Sequence, residues 1–155
     1  MAGAIETRLS ELGVTLPPAP MPVANYVPYV RTGNLVFLAG QIPIAGGDIV
    51  HRGACGAELT AEEGAAAARL CALNIIAQVR AACEGDLDRV VRCVKLDGYV
   101  NATPDFVDHP TVVNGASELI VAVFGEAGRH ARIAVGATNL PLGVAVEIDA
   151  VFEIR

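Results

Sequence analysis

The stretch that decides the fold is 144–154, VAVEIDAVFEI, where apolar residues occupy every second position. Successive side chains of a β-strand point to opposite faces of a sheet, so this alternation predicts a strand with one fully apolar face. The apolar series consists of Val144, Val146, Ile148, Ala150, Phe152 and Ile154. Glu147 and Asp149 fall on the other face, and the pattern alone does not tell which face meets the rest of the protein.

Two long helices are predicted upstream of this strand. Thr60-Ala61-Glu62-Glu63 has the form of a capping box, and a helical pattern follows it to about Ala82. Pro110 suits the first turn of a second helix, whose apolar positions recur at helical spacing as far as Phe124. Gly125 then ends that helix.

Four shorter segments complete the predicted strands. They are Leu35–Ala39, Ile49-Val50 after the turn Ala45–Asp48, Val90–Val100 and Ile133–Ala137. The element order is then β-β-α-β-α-β-β. One sheet with both helices on one face satisfies this order as a two-layer α/β sandwich. The other face of the sheet is expected to be shielded from solvent by neighbouring subunits.

Residues 1–24 are expected to form an appendage of the same domain whose body is 25–155. Residues 5–12 have helical apolar spacing that Gly13 would end. The prolines between positions 17 and 22 exclude regular structure and predict an extended strap. A chain of 155 residues is the size of one ordinary domain, so no second domain is expected.

The composition is more apolar than that of a typical soluble monomer. Hydrophobic residues make up 53% of the chain and charged residues 18%, with a mean hydropathy of +0.47. Spare apolar surface on a small domain favours contacts between subunits. A membrane span is not expected, because Arg69, Asn74 and Gln78 interrupt the richest apolar segment, 65–79. Since the first residues also lack the pattern of a secretory signal, a cytoplasmic protein is expected.

Charge and the placement of reactive side chains argue against several classes of function. A net charge of −6 with 11 basic residues is poorly suited to neutralising the phosphates of a nucleic acid. The four cysteines form no Cys-x-x-Cys pair and are expected to be reduced and buried. The three histidines lack metal-ligand spacing, so no metal site is expected. One of them, His130, is expected on the strand face opposite to Arg132.

Several short motifs together carry a resemblance to a known family. They are Tyr26-Val27, Gly33–Pro43 with its Gly-Gln-Ile-Pro end, Asn114, Ala131-Arg132, Leu140-Pro141 and Val146–Ala150. With these motifs the chain resembles the RidA family, also called YjgF or endoribonuclease L-PSP, from about Asn25 to Arg155. The N-terminal strap and the segment 124–130 look like features of a longer branch of that family.

The resemblance implies a chorismate-mutase-like fold, with one mixed sheet carrying two helices on one face. It also implies a homotrimer with clefts between adjacent subunits. Many members of the family are enamine/imine deaminases, which hydrolyse reactive species such as 2-aminoacrylate and small 2-imino acids to 2-keto acids and ammonia. They need no cofactor. The expected ligand is therefore a small carboxylated imine, enamine or keto acid.

The resemblance also assigns roles to residues of this chain. Arg132 aligns with the arginine that grips the substrate carboxylate, and Glu147 aligns with the acidic residue beside the water and the leaving amine. Further substrate-binding positions implied are Tyr26, Gly40, Asn114, Ile133 and Ala134. The residue types suit the chemistry, because a guanidinium holds a carboxylate by two charge-assisted hydrogen bonds. A carboxyl group whose pKa is raised toward neutrality by burial can orient a water and move protons.

Two residues depart from the family pattern. Ala134 stands where a cysteine often follows the arginine, and Ala39 stands where a serine often precedes the glycine. Both losses suggest a more apolar cleft and a different substrate side chain. Arg132 and Glu147 are retained, and they are expected on neighbouring strands.

Three functions remain open at this point. The first is an enamine/imine deaminase that uses Arg132 and Glu147. The second is a regulatory module that binds a small carboxylate without turnover. The third is a ribonuclease or translation inhibitor, which the acidic charge argues against. The catalytic roles of Arg132 and Glu147 have structural alternatives. Arg132 could form an ion pair at a subunit interface, and Glu147 could be a solvated surface charge.

Overall fold

The computed structural model describes residues 1–22 and 24–155, in three helices and seven strands. The helices are α1 (Ala4–Glu11), α2 (Ala61–Ala82) and α3 (His109–Phe124). The strands are β1 (Tyr29–Thr32), β2 (Leu35–Gln41), β3 (Ile44–Ala45), β4 (Asp48–Ile49), β5 (Val90–Asn101), β6 (Ala131–Ala137) and β7 (Val146–Ile154). Short 3-10 turns lie at Leu87–Arg89, Gly125–Gly128 and Pro141–Gly143.

Five strands form one mixed sheet in the order β1-β2-β7-β5-β6. The pair β5–β6 is parallel, and the other pairs of this sheet are antiparallel. The prediction of a single main sheet with two helices on one face is confirmed. Two details were wrong. Tyr29–Thr32 adds an edge strand that was not predicted, and the hairpin β3–β4 forms a separate two-stranded sheet.

The apolar series of β7 faces the helices. Ile148, Phe152 and Ile154 are fully buried in the core against α2 and α3. The intervening residues, which begin at Glu147, therefore lie on the face that the helices leave uncovered, here called the open face. Phe37 and Ile133 are 47% and 44% exposed on that face, a degree of exposure that matches the expected need for cover by other subunits.

The helix pair packs closely because small residues line its contact. The capping box at Thr60 starts α2 as predicted. At Gly115 of α3 a β-carbon would collide with the backbone carbonyl of Ala65 in α2, so only glycine permits this crossing distance. By length and composition α2 also meets the criteria for a membrane span, but 56% of the relevant window is buried within the domain. That burial is the pattern of a core helix.

The N-terminal segment is fixed to the body of the domain at several points. Leu9 of α1 is buried in the common core. The backbone N–H groups of Ala4 and Ile5 donate to the carboxylate of Asp88 at 2.8 and 2.9 Å, and these two bonds lower the pKa of that carboxyl group. The strap that follows is held where the side-chain amide of Gln78 donates to the carbonyl of Pro20. One strap residue of the predicted 1–24 appendage, at position 23, lies outside the described residues.

Candidate functional site

Arg132 lies near the start of β6, and its side chain is on the helix side of the sheet. Its Nη1 donates to Asn114 Oδ1 at 2.8 Å and to Ser117 Oγ at 3.2 Å, both on α3. Within 1–22 and 24–155 the guanidinium forms no ion pair, and its Nε and Nη2 have no hydrogen-bond acceptor. One donor edge is oriented by α3, and the other is available to an anion.

His130 supports this arrangement through Ser117. Its Nδ1 lies 2.6 Å from the carbonyl of Gly128, and because a carbonyl only accepts, Nδ1 carries a proton. In the tautomer whose Nε2 is unprotonated, the Ser117 hydroxyl donates a hydrogen bond to Nε2 over 2.9 Å. That bond turns the lone pairs of Ser117 toward Arg132. His130 lies just before β6, and the expectation that it faces away from Arg132 is wrong, because both side chains contact the hydroxyl of Ser117.

Ser117 was missed in the sequence, although a signal for it exists. It follows Asn114 by three positions on α3, and residues at that spacing lie on one face of a helix. A helix-side arginine on the adjacent strand therefore meets both side chains at once. The prediction that Asn114 and Arg132 belong to one site agrees with this geometry.

Glu147 lies on the open face, opposite Tyr99 of β5. Its half-buried carboxyl group has no hydrogen-bond partner and no ion pair among the residues that the structure describes, and burial raises its pKa. The carboxylate lies directly over Gly40, where a β-carbon would collide with it. Gly40 therefore gives the carboxyl group the room to lie in this position. A raised pKa and an unused carboxylate are what proton transfer near neutral pH requires.

A cavity of about 510 Å³ adjoins this carboxyl group. Tyr26, Gly40 and Glu147, three of the predicted site residues, line it together. The other lining residues are Pro20, Met21, Pro22, Pro28, Ala39, Gln41, Ile42, Ile44, Gly47, Ile49, Pro141 and Leu142. The strap thus forms one wall of the cavity, a role that sequence reasoning did not assign to it. Leu142 reaches the rim from a backbone with φ of +61°, a conformation rare for a non-glycine residue.

Arg132 and Glu147 are not brought together within one chain. The expectation that they lie on neighbouring strands is wrong, because β5 lies between β6 and β7. Arg132 is level with Leu96, and Glu147 with Tyr99, three residues further along β5. With about 3.3 Å per residue and about 4.8 Å per strand, the two Cα atoms are roughly 14 Å apart. Their side chains also point to opposite faces of the sheet.

The two remaining predicted site residues follow Arg132 on β6. Ile133 is exposed on the open face, whereas Ala134 packs toward the core on the helix side. Within the described residues β6 pairs with β5 alone, so its outer edge presents unpaired backbone N–H and C=O groups. Consecutive strand residues direct their N–H and C=O groups to opposite edges, so this outer edge offers a ligand the backbone groups of one of Ile133 and Ala134, next to the guanidinium of Arg132.

A pair of carboxyl groups lies near Glu147 on the open face. Asp97 and Asp149 are directly opposite each other on β5 and β7, and Lys95 Nζ is 3.2 Å from Asp97 Oδ1. The pKa of Asp149 is raised to about 6, mainly by burial and then by the negative charge of Asp97 and a hydrogen bond with Asp97. No group of three His, Cys, Asp or Glu in 1–22 and 24–155 could hold a metal ion. The four cysteines are unpaired and buried.

Comparisons with known proteins give a consistent result. Residues 6–152 match the family described as YjgF/chorismate mutase-like, putative endoribonuclease. Protein TCP17 of Trypanosoma cruzi is 49% identical over 155 residues, covering 99% of this chain and 96% of that protein. The crystal structure of Atu1372 from Agrobacterium tumefaciens has a TM-score of 0.91 at 50% identity, covering 97% of this chain and 92% of that one. The crystal structure of the YjgF gene product of E. coli has a TM-score of 0.65 at 28% identity, covering 88% of this chain and 94% of that one.

Proposed function

Because this chain belongs to the YjgF/RidA family, we propose that it is a cofactor-independent enamine/imine deaminase. Its substrates would be small 2-imino acids and the enamines, such as 2-aminoacrylate, from which they form. The products would be the corresponding 2-keto acid and ammonia. The proposed site consists of Arg132 and Glu147, with Tyr26, Gly40 and Asn114 around the substrate.

One observation carries the proposal of a cleft between subunits. Arg132 and Glu147 are roughly 14 Å apart at their Cα atoms and lie on opposite faces of the sheet, so one small substrate cannot contact both within a chain. Each charged group is also left without a partner in its own half-site. Two copies that place the β6 edge of one against the open face of the other would complete the site. A homotrimer closes such head-to-tail contacts into three equivalent clefts.

The chemistry follows from the two half-sites. The free edge of Arg132 would hold the substrate carboxylate by two charge-assisted hydrogen bonds. Glu147 would take a proton from a water molecule as the water oxygen bonds to the imine carbon, while the imine nitrogen gains a proton. In the resulting carbinolamine, Glu147 would move the hydroxyl proton to the nitrogen, so that the C–N bond breaks, ammonia leaves and the hydroxyl oxygen becomes the keto oxygen. Burial favours this role, because it raises the pKa of Glu147 toward the working pH.

The direct test is 2-keto acid formation from 2-iminopropionate generated by an amino-acid oxidase. We expect Arg132→Ala to lower kcat/KM by about 100–10,000-fold, since it removes two hydrogen bonds between charged groups that contribute about 1.5–3 kcal/mol each. Glu147→Gln should lower kcat with little change in KM. Matched controls are Arg129→Ala, which removes an exposed arginine from the same segment, and Glu153→Gln on the same face of β7. Unchanged turnover in Glu147→Gln would contradict the catalytic role.

A second experiment tests the division of the site between two copies. Equal amounts of Arg132→Ala and Glu147→Gln chains are unfolded together and refolded, so that mixed oligomers form. A cleft that takes its arginine from one variant and its glutamate from the other is intact. We therefore expect activity well above that of either variant refolded alone. Activity no greater than the mean of the two would contradict a shared cleft, and sedimentation would show independently whether trimers form.

The same assays separate the alternative functions. A carboxylate-binding module would bind 2-keto acids through Arg132, would not accelerate hydrolysis and would be indifferent to Glu147→Gln. RNA binding that weakens steeply with salt would support the ribonuclease reading, although the net charge of −6 argues against it. We further propose a cytoplasmic location, with neither a membrane nor a nucleic acid as partner.

A further inference from the structure

We propose that the preferred substrate is a 2-imino acid whose apolar side chain is several carbons longer than methyl, and that the strap-walled cavity beside Glu147 selects it. This inference rests on the proposed function, because it names the substrate class of the same site. The family resemblance points to the smallest imino acids, whose methyl or vinyl groups need little room. The cavity of this chain has room for a longer substrate side chain.

The size of the cavity is the first observation. A volume of about 510 Å³ falls within the roughly 300–1,000 Å³ that is typical of pockets for drug-sized ligands. A methyl group would leave most of this space to water, next to apolar walls. A longer aliphatic chain would displace that water and bury the apolar surface, which is favourable.

The chemistry of the lining is the second observation. Three isoleucines and a methionine form much of the wall: Met21, Ile42, Ile44 and Ile49. The side-chain amide of Gln41 donates one hydrogen bond to the carbonyl of Ala39 at 3.0 Å, which leaves its Oε1 acceptor and its second N–H. Of the lining residues that the structure describes, Tyr26, Gln41 and Glu147 offer polar side-chain groups. Because the rest of the wall is apolar, a polar substrate side chain would replace few of its hydrogen bonds to water on entering, and the cavity would favour an apolar one.

The position of the strap is the third observation. The side chain of Gln78 is buried within α2, with 1% of the residue exposed, and its amide donates to Pro20. A buried amide is costly unless it is hydrogen-bonded, so this contact fixes the strap beside the cavity. Pro20 and Pro22 stiffen the backbone on either side of Met21. Met21 is consequently held at the rim while 79% exposed, a position from which its flexible side chain can cover a long apolar group.

The experiment compares imino acids generated from alanine, leucine, methionine and glutamine by an amino-acid oxidase. For wild type we expect kcat/KM to be at least about tenfold higher with the leucine and methionine products than with the alanine product, since one methylene in an apolar pocket is worth about 10–200-fold. The glutamine product, similar in length but polar, should be poorer than both. Met21→Ala should lower the ratio of leucine-derived to alanine-derived turnover by about threefold to tenfold. Val107→Ala, an exposed apolar position outside the cavity, should leave the ratio unchanged.

A second variant guards against a folding artefact at the strap. Ile49→Phe places more volume in the cavity and should reduce turnover of the leucine product far more than that of the alanine product. Equal kcat/KM for the leucine and alanine products in wild type would overturn the inference while leaving the proposed function intact. No turnover of any imino acid would overturn the proposed function. Calorimetric titration with pyruvate and 4-methyl-2-oxopentanoate would then decide the inference, which predicts tighter binding of the longer acid and is contradicted by equal binding.

Discussion

Asp149→Asn is expected to stabilise the protein at neutral pH and to have almost no effect near pH 4. Asp149 faces Asp97 across the strand pair and has Glu147, Tyr99 and Lys95 as its other titratable neighbours on the open face. Because the pKa of Asp149 is raised from 3.8 to about 6, the folded state binds its proton more tightly than the unfolded state does. Stability is therefore lost as the pH rises through this window.

The size of the effect follows from the same shift. A displacement from 3.8 to about 6 corresponds to about 3 kcal/mol at a pH above both values. Asp149 keeps contact with solvent, so screening reduces the expected gain to about 1–2 kcal/mol. For a chain of this size, 1 kcal/mol shifts Tm by roughly 2–4 °C. We therefore expect a rise of about 2–8 °C at pH 7.5.

The assay is thermal unfolding of wild type and Asp149→Asn between pH 4 and pH 8, at one fixed chain concentration, because the proposed assembly would make Tm concentration-dependent. Asp48→Asn, which removes the same charge from the exposed start of β4, serves as the control and should follow wild type. A gain that does not vary with pH would refute the explanation through the carboxyl pair. A loss of stability at pH 7.5 would refute its sign.

Three further predictions concern the site and the packing beneath it. Ser117→Ala should raise KM by about tenfold, with a smaller change in kcat, because it removes a hydrogen bond that orients Arg132. Ser117→Thr keeps the hydroxyl group and should have a KM close to that of wild type. Gly40→Ala should reduce kcat strongly with little change in Tm, because its β-carbon displaces the carboxylate of Glu147, the mobile end of a side chain; an unchanged kcat would contradict this. Gly115→Ala should lower Tm by several degrees in calorimetry, because the new β-carbon collides with the backbone of α2 and overpacking costs about 1–3 kcal/mol. A higher Tm would mean that the better helix propensity of alanine outweighs this collision.

Features with a strong local signal could be predicted from the sequence. The alternation in 146–154 and the capping box at Thr60 placed a strand and a helix close to their observed bounds. Val90–Asn101 was harder, since register shifts after Val90 and Cys93 break the two-residue period that a regular strand would show. Tyr29–Thr32 has only four residues on a sheet edge, too few to establish a pattern.

The candidate site was predictable residue by residue but not in its spatial arrangement. The motifs singled out Arg132, Glu147 and Gly40, whereas Ser117 and His130, which lie beside Arg132, were not assigned to the site. The order of strands in space is set by long-range pairing, which no local pattern in β6 or β7 encodes. The insertion of β5 between them therefore separated two side chains that are close in sequence. The strap was recognised as an extended segment, but its path to the cavity depends on the distant amide of Gln78.

The placement of Arg132 and Glu147 on opposite faces ties the proposed activity to the abundance of the chain. A single copy carries both groups and no complete cleft, so a newly synthesised or highly diluted chain would be inactive. Where most copies are monomeric, doubling the amount of chain raises the amount of trimer by up to about eightfold by mass action. Expression level alone would then act as a threshold. A cell could hold a low basal amount without hydrolysing useful imine intermediates and gain a sharp increase in capacity when synthesis rises.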